Sequence, residues 1–184
     1  MFVNKYNLAE IFYSLQGEGF WAGTPVVFVR FAGCNLECTF CDTNHSNKIG
    51  LDADQLVHII NNYPAKRVVF TGGEPLLQLD ENLIDQLREL HIAIHVETNG
   101  TIAPPAGISF MTVSPKKKWV VKYGEELKVV YLGQDLEQYF IGTKFEHYFL
   151  QPCSMSNIQE VIDICKKDPR WRLSLQTQKM VNIR

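Results

Sequence analysis

Seven short runs of apolar, β-prone side chains recur along the chain: Val26–Phe31, Val68–Phe70, Ile92–Val96, Phe110–Val113, Leu127–Tyr131, Tyr148–Leu150 and Leu173–Leu175. Most are apolar almost without interruption, whereas a sheet with one face in water alternates apolar and polar positions. The runs therefore predict strands of a mostly parallel sheet covered by helices. Three intervening segments repeat their apolar side chains at helical spacing, each behind a capping residue. Asp52 precedes Leu56, Ile59, Ile60 and Tyr63, and Asp80 precedes Leu83, Ile84, Leu87 and Leu90. Asn157 with Glu160 has the pattern of a capping box ahead of Ile158, Val161, Ile162 and Cys165. Cys165 falls on the apolar face of that helix and reads as a core side chain.

Strands alternating with helices predict βα units with right-handed crossovers and ligands at the C-terminal strand ends. Three helices are too few for eight units, and between Ile92 and Leu150 the strands follow one another with short connections. The expected fold is α/β: an incomplete, partly open (β/α) barrel of about six strands and three helices, formed by residues 1–184 as a single domain.

Composition narrows the function classes. The 184 residues are 46% apolar and 21% charged, which is ordinary for a globular domain with one core. Net charge is -2, and the longest basic run is Lys116-Lys117-Lys118, so a nucleic-acid partner is not expected. No apolar run approaches the roughly 20 residues that span a bilayer, and the first residues lack a leader pattern. No membrane association is expected, and a cytoplasmic location is. Five cysteines, three of them within eight residues, point to a metal or redox site in a reducing compartment.

Those three, in Cys34-Asn-Leu-Glu-Cys38-Thr-Phe-Cys41, follow directly on the Val26–Phe31 strand, where an α/β barrel keeps its chemistry. Three thiolates from one loop can hold three irons of a [4Fe-4S] cluster and leave the fourth open to a chelating small molecule. Two other readings stay open: a structural zinc site completed by His45, and cysteines with no ligand at all. The spacing, with Phe40 before the last cysteine, resembles the radical S-adenosylmethionine (SAM) superfamily. That resemblance implies a [4Fe-4S] cluster, SAM chelated to the open iron, and a 5'-deoxyadenosyl radical. Thr71-Gly72-Gly73-Glu74-Pro75 resembles the superfamily's glycine-rich stretch, in which backbone and the Glu74 carboxylate take the methionine amino group. Its paired glycines let backbone approach a ligand closely.

Further along, Glu97-Thr98-Asn99-Gly100, Ser114-Pro115-Lys116 and Gln151-Pro152-Cys153-Ser154 each end a strand, which puts their polar groups at one mouth. With Glu10–Gly19, whose core is Leu15-Gln16-Gly17-Glu18-Gly19, with Arg30–Leu36, and with Glu126-Leu127-Lys128-Val129-Val130 and Trp171-Arg172-Leu173-Ser174, the chain resembles the 7-carboxy-7-deazaguanine synthase family from end to end. The resemblance implies a carbon-nitrogen lyase that converts 6-carboxy-5,6,7,8-tetrahydropterin to 7-carboxy-7-deazaguanine with loss of ammonia, in 7-deazapurine and queuosine biosynthesis. It implies Mg2+ on Thr43, where a hydroxyl suits a hard cation. It places Leu15, Gln16, Gly17, Arg30, Thr71, Glu97 and Arg184 at the substrate, Arg184 through its carboxylate. For SAM it implies Phe40, Cys41, Asp42, Gly73, Glu74, Ser114, Pro115, Lys116, Gln151, Pro152, Cys153 and Ser154. Arg30 can pair a carboxylate in bidentate fashion, and Glu97 can accept two parallel N–H bonds from an aminopyrimidine edge. Gln178 departs from the family pattern, in which histidine stands there.

The partners implied by the family are the pterin, an electron donor such as a flavodoxin or ferredoxin, and a second copy of the chain in a homodimer. An exposed barrel edge gives a physical reason for that dimer. Two rival classes are an activating enzyme acting on a glycine of a partner protein, and a non-catalytic zinc or electron-transfer module.

Overall fold

The computed structural model describes residues 5–46, 49–116 and 118–184, so Lys117 of the basic run lies outside the described residues. One nine-stranded sheet runs in the order β3-β1-β2-β4-β5-β6-β7-β8-β9. Its strands are β1 Tyr6–Leu15, β2 Pro25–Phe31, β3 Ile49–Leu51, β4 Arg67–Gly72, β5 Ala93–Thr98, β6 Phe110–Val113, β7 Tyr123–Tyr131, β8 Lys144–Pro152 and β9 Arg172–Leu173. β1 runs antiparallel to both β2 and β3, and every pairing from β2 to β9 is parallel. The barrel is open, as expected, but it has nine strands where about six were expected.

Among the described residues there are four α-helices, one more than expected: α1 Ala53–Asn61, α2 Glu81–Glu89, α3 Ile158–Lys167 and the short α4 Thr177–Met180. At α1, Asp52 accepts from the Gln55 N–H while the Gln55 side chain accepts from the Asp52 N–H, a complete capping box. Asp80 caps α2 through the Leu83 N–H. The box expected at Asn157 does not form. Its carboxamide is drawn into tertiary contacts instead, accepting from the Cys153 N–H at 2.9 Å and donating to the Tyr131 carbonyl at 3.1 Å. Cys165 is half-buried among the side chains under α3, in keeping with a packing role. No helix among the described residues is long and apolar enough to cross a membrane.

Two apolar cores lie on the outer, helix-covered face of the sheet. One joins Val68, Phe70, Ile94 and Val96 to Leu56 and Ile60 of α1 and to Leu83, Ile84 and Leu87 of α2. The other joins Val113, Leu127, Val129 and Leu150 to Val161 of α3 and to Trp171. Successive strand side chains point to opposite faces, so Thr71, His95, Glu97, Thr112, Glu126, Lys128 and Gln151 all turn to the inner face. That inner face carries a small apolar patch, Phe12, Val26, Phe28 and Val69, beside these polar side chains, and this is where the continuous apolar runs were misleading: the parallel strands around the site each aim one or two polar positions inward.

The β1–β2 connection, residues 16–24, folds back over this inner face. Gln16 N–H donates to the Thr24 carbonyl at 2.8 Å and Gly23 N–H to the Gln16 carbonyl at 2.7 Å, closing the loop at its neck. Phe20 stacks on His147 and Phe110, and Trp21 lies against His95 and under the Arg67 guanidinium.

Candidate active site

At the C-terminal strand ends the sheet opens into a cavity of ≈ 520 Å³. Its wall includes Leu15, Gln16 and Gly17 at the end of β1, Arg30 of β2, Thr71 of β4, Gly73 just beyond it, and Glu97 of β5. Ser114 and Lys116 after β6, Gln151 and Pro152 of β8, Ser154 and Arg184 complete the set that the sequence placed there. The loop after β2 adds Cys34, Cys38, Cys41, Asp42 and Thr43.

That loop is fixed at both ends. Gly33 N–H donates to the His45 carbonyl at 3.1 Å, which ties off residues 33–45. Gly73 N–H donates to the Phe31 carbonyl at 3.2 Å and Glu74 N–H to the Gly33 carbonyl at 3.0 Å. A Cβ on Gly73 would lie 1.8 Å from the Gly33 oxygen and 2.9 Å from the Cys34 Cβ. The glycine pair therefore serves contact between two backbone segments, β4 against the root of the cysteine loop. Asn35 is braced to the end of β5 by Asn99 Nδ2, which donates to Asn35 Oδ1 at 2.9 Å, and Asn35 Nδ2 donates in turn to Thr101 Oγ1 at 2.8 Å.

Among the described residues no three His, Cys, Asp or Glu side chains gather closely enough to hold a single metal ion. A structural zinc site needs four ligands converging on one ion, and Cys34, Cys38, Cys41 and His45 do not form such a group among the described residues. Cys34, Cys38 and Cys41 line one cavity wall from a single loop, which fits a cluster in which each cysteine binds a different iron.

Glu74 is fully buried and does not reach the cavity. Its carboxylate accepts from Leu76 N–H at 3.0 Å, Thr98 Oγ1 at 2.8 Å and Asn99 N–H at 2.8 Å. Burial pushes this carboxyl up, against the pull of those donors. It braces the β4 and β5 ends against each other. Phe40, Pro115 and Cys153 also stand off the wall. Phe40 lies 6.0 Å from the Lys116 ammonium, and the Cys153 N–H is held by Asn157 beside Ser154 and Met155, two non-glycine residues at positive φ.

The floor of the cavity is a charged network that ties Gln16 and Glu97 to residues given no role from the sequence. Lys128 Nζ lies 2.6 Å from Glu18 Oε2 and 3.7 Å from Glu97 Oε1, and Gln16 Nε2 donates to that same Glu97 oxygen at 2.9 Å. Glu18 Oε1 accepts from Gln176 Nε2 at 2.9 Å and Gln178 Nε2 at 3.1 Å. Burial alone would push the Glu18 carboxyl up, but the Lys128 ammonium and the two amides hold it well below the carboxylate range. Burial likewise works against the Lys128 charge, and Glu18, Glu97 and Glu126 together raise it above the usual lysine range. Burial pushes Lys116 down, helped by Lys128. Lys116 Nζ donates to Ser114 Oγ.

Residues 176–184 close one side of the site. Gln176 Nε2 bridges Glu18 to Asp42 Oδ2 at 3.1 Å, and Lys179 pairs with the same carboxylate. Burial opposes ionisation of Asp42, and hydrogen bonds from Lys179 and Gln176 overcome it and lower the group. Arg184 pairs with Glu10, which also accepts from Arg30 Nε at 2.8 Å. Glu18, Gln176, Gln178 and Lys179 all face the cavity without having been assigned a role from the sequence. Lys128 does too, and for it a signal existed: Glu126-Leu127-Lys128 alternates polar and apolar inside an otherwise apolar run.

The Radical SAM superfamily model matches residues 28–111. The chain is 49% identical to the 7-carboxy-7-deazaguanine synthase of Bacteroides thetaiotaomicron over 179 residues, covering 95% of this chain and 97% of that protein. It is 42% identical to the synthase of the same name from Bordetella pertussis over 208 aligned positions, covering 97% and 99% respectively. Among solved structures, the crystal structure of QueE from Escherichia coli superposes with a TM-score of 0.83 at 27% identity, over 94% of each chain.

Proposed function

The chain belongs to the radical SAM superfamily and, within it, to the 7-carboxy-7-deazaguanine synthase family, and we propose that it converts 6-carboxy-5,6,7,8-tetrahydropterin to 7-carboxy-7-deazaguanine by radical ring contraction with loss of ammonia. The observation that carries this reading is that one cavity collects the three thiols, the paired Gln16 and Glu97, and Arg30. Cys34, Cys38 and Cys41 would hold the cluster, which when bound would supply, together with SAM, the hydrogen-abstracting radical chemistry. Gly73, Ser114, Lys116, Gln151 and Ser154 would form the wall that holds SAM, and Glu74 would act on it through the strand ends it braces. Thr43 offers its hydroxyl to Mg2+.

For the substrate, Glu97 has one oxygen shared with Gln16 and Lys128 and a second that can accept from an aminopyrimidine. Among the described residues Arg30 is held by Glu10 through Nε alone, which leaves its two Nη groups for the substrate carboxylate. Leu15, Gly17 and Thr71 shape the space between, and Arg184 closes it. Electrons for the cluster come from a flavodoxin- or ferredoxin-class donor. Among the described residues the outer side of β1 is paired only at Tyr6–Leu8, and Tyr13 and Leu15 are exposed, which supports burial of that edge against a second copy.

The test is anaerobic incubation of the reduced, reconstituted protein with the tetrahydropterin, SAM and Mg2+. Formation of 7-carboxy-7-deazaguanine is expected. Deoxyadenosine without that product overturns the substrate. Thr43→Ala should weaken the response to magnesium, and an unchanged titration removes Thr43 from the metal site.

A further inference from the structure

Lys128 and Glu18 form an ion pair beneath the cavity, with side chains only 5% and 15% exposed. A buried pair of this kind is weak evidence for stability, since desolvation opposes the attraction. Its value must lie in what it holds. Lys128 reaches past Glu18 to Glu97 Oε1 at 3.7 Å, the oxygen to which Gln16 Nε2 also donates. Glu18 is itself held on its other oxygen by two amides, from Gln176 and Gln178. The Glu97 oxygen nearest the floor is therefore committed to the protein, and the carboxylate is presented to the cavity in one orientation. Lys128 comes from β7, Glu97 from β5 and Glu18 from the β1–β2 connection, so three separate elements converge on one carboxylate.

We infer that Lys128, anchored by Glu18, is a positioning residue that acts through Glu97 to fix the substrate-reading carboxylate. The inference rests on the reading of Glu97 as a substrate contact. It assigns no bond-making to Lys128, whose ammonium stays paired within the protein.

The experiment is a double-mutant cycle on the reconstituted holoenzyme with SAM bound, reading both the dissociation constant of the carboxytetrahydropterin and the split between KM and kcat. Glu97→Gln and Lys128→Met should each weaken substrate binding by tenfold or more, mainly in KM, while SAM binding and its effect on the cluster's EPR signal stay as in the wild type. The double variant should bind no worse than the weaker single variant. Lys128→Arg, which keeps the charge, should recover part of the loss. If Lys128→Met does not fold, Glu18→Gln takes its place in the cycle, with the same non-additivity expected. Multiplying losses in the double variant, or a Lys128→Met loss alongside unchanged binding in Glu97→Gln, overturns the positioning role. Unchanged binding in both single variants sinks the reading of Glu97 itself, and the inference with it.

Discussion

Replacing Gly73 by alanine sets a methyl carbon 1.8 Å from the Gly33 carbonyl oxygen, at the seam between β4 and the cysteine loop. A C–H group approaches such an oxygen to about 3.3 Å, so the two segments must part by roughly 1.5 Å. Nothing at the seam is a flexible side-chain end, since the next atoms met are the Gly33 carbonyl carbon and the Cys34 Cβ. Overpacking of this kind costs about 1–3 kcal/mol. The two hydrogen bonds that cross the seam, Gly73 N–H to Phe31 and Glu74 N–H to Gly33, are lost with it at about 0.5–1.5 kcal/mol each. The total is about 2–6 kcal/mol, against a whole-domain stability of about 5–15 kcal/mol. At roughly 2–4 °C per kcal/mol for a domain of this size, the midpoint should fall by about 12 °C at the middle of the range. Thermal unfolding monitored by circular dichroism, with iron content after anaerobic reconstitution, measures both consequences. Gly33→Ala is the matched control. Gly33 sits at φ +86 with nothing within 4 Å of an added Cβ, so only the left-handed backbone cost of about 1–2 kcal/mol applies. Equal losses in the two variants, or normal iron content in Gly73→Ala, would refute the seam argument.

Two buried groups predict pH behaviour of opposite sign. The His95 ring accepts from Arg67 Nε at 3.0 Å, and burial, with Arg67 beside it, pushes its pKa from 6.5 down to about 3. Below 6.5 the unfolded chain binds a proton there and the native one does not, so stability falls toward pH 3 by up to about 1.4 kcal/mol per unit. Urea unfolding at pH 7 and pH 5 should show a larger acid loss in the wild type than in His95→Gln, which keeps an acceptor for Arg67; equal losses would exclude His95 as the source. Glu126, which accepts from the Phe20 N–H at 2.7 Å, is raised above its usual 4.5 by burial. Here the native state keeps a proton that the unfolded chain releases, so stability falls as pH rises from 4.5 through the raised value. Glu126→Gln should gain on the wild type over that rise, and a constant difference at all pH values would contradict it.

Much of the architecture was legible because apolar runs and caps are local signals. The helices begin where Asp52 and Asp80 stand, and the seven runs each became a strand. β1 escaped because Tyr6–Leu15 interrupts its apolar positions with Asn7, Glu10 and Ser14 and carries a register shift between Leu8 and Glu10. β3 is three residues long and owes its existence to β1 alone. At Asn157 a correct helix start came with a wrong cap, because two tertiary partners compete for the same carboxamide. In the site, spacing revealed the cysteines and the strand-end motifs. It could not reveal Glu18 with Lys128, which are 110 positions apart, or Gln176 bridging Glu18 and Asp42, because those contacts exist only once the inner face is assembled. Glu74 marks the limit on the other side: its place at a strand end was legible, yet its side chain turns into the wall.

The loop over residues 16–24 leaves the sheet and returns to it through a neck one residue pair wide, Gln16 with Thr24. Its tip carries Phe20 and Trp21 as the stopper of the lower barrel, while its root carries Gln16 and Glu18 on the upper floor. The depth of the chamber and part of its floor thus belong to a single connecting loop. Lengthening or shortening that loop, with the neck retained, would resize the chamber without disturbing any strand register. That makes it the natural place to graft a different substrate preference onto the same radical-generating frame.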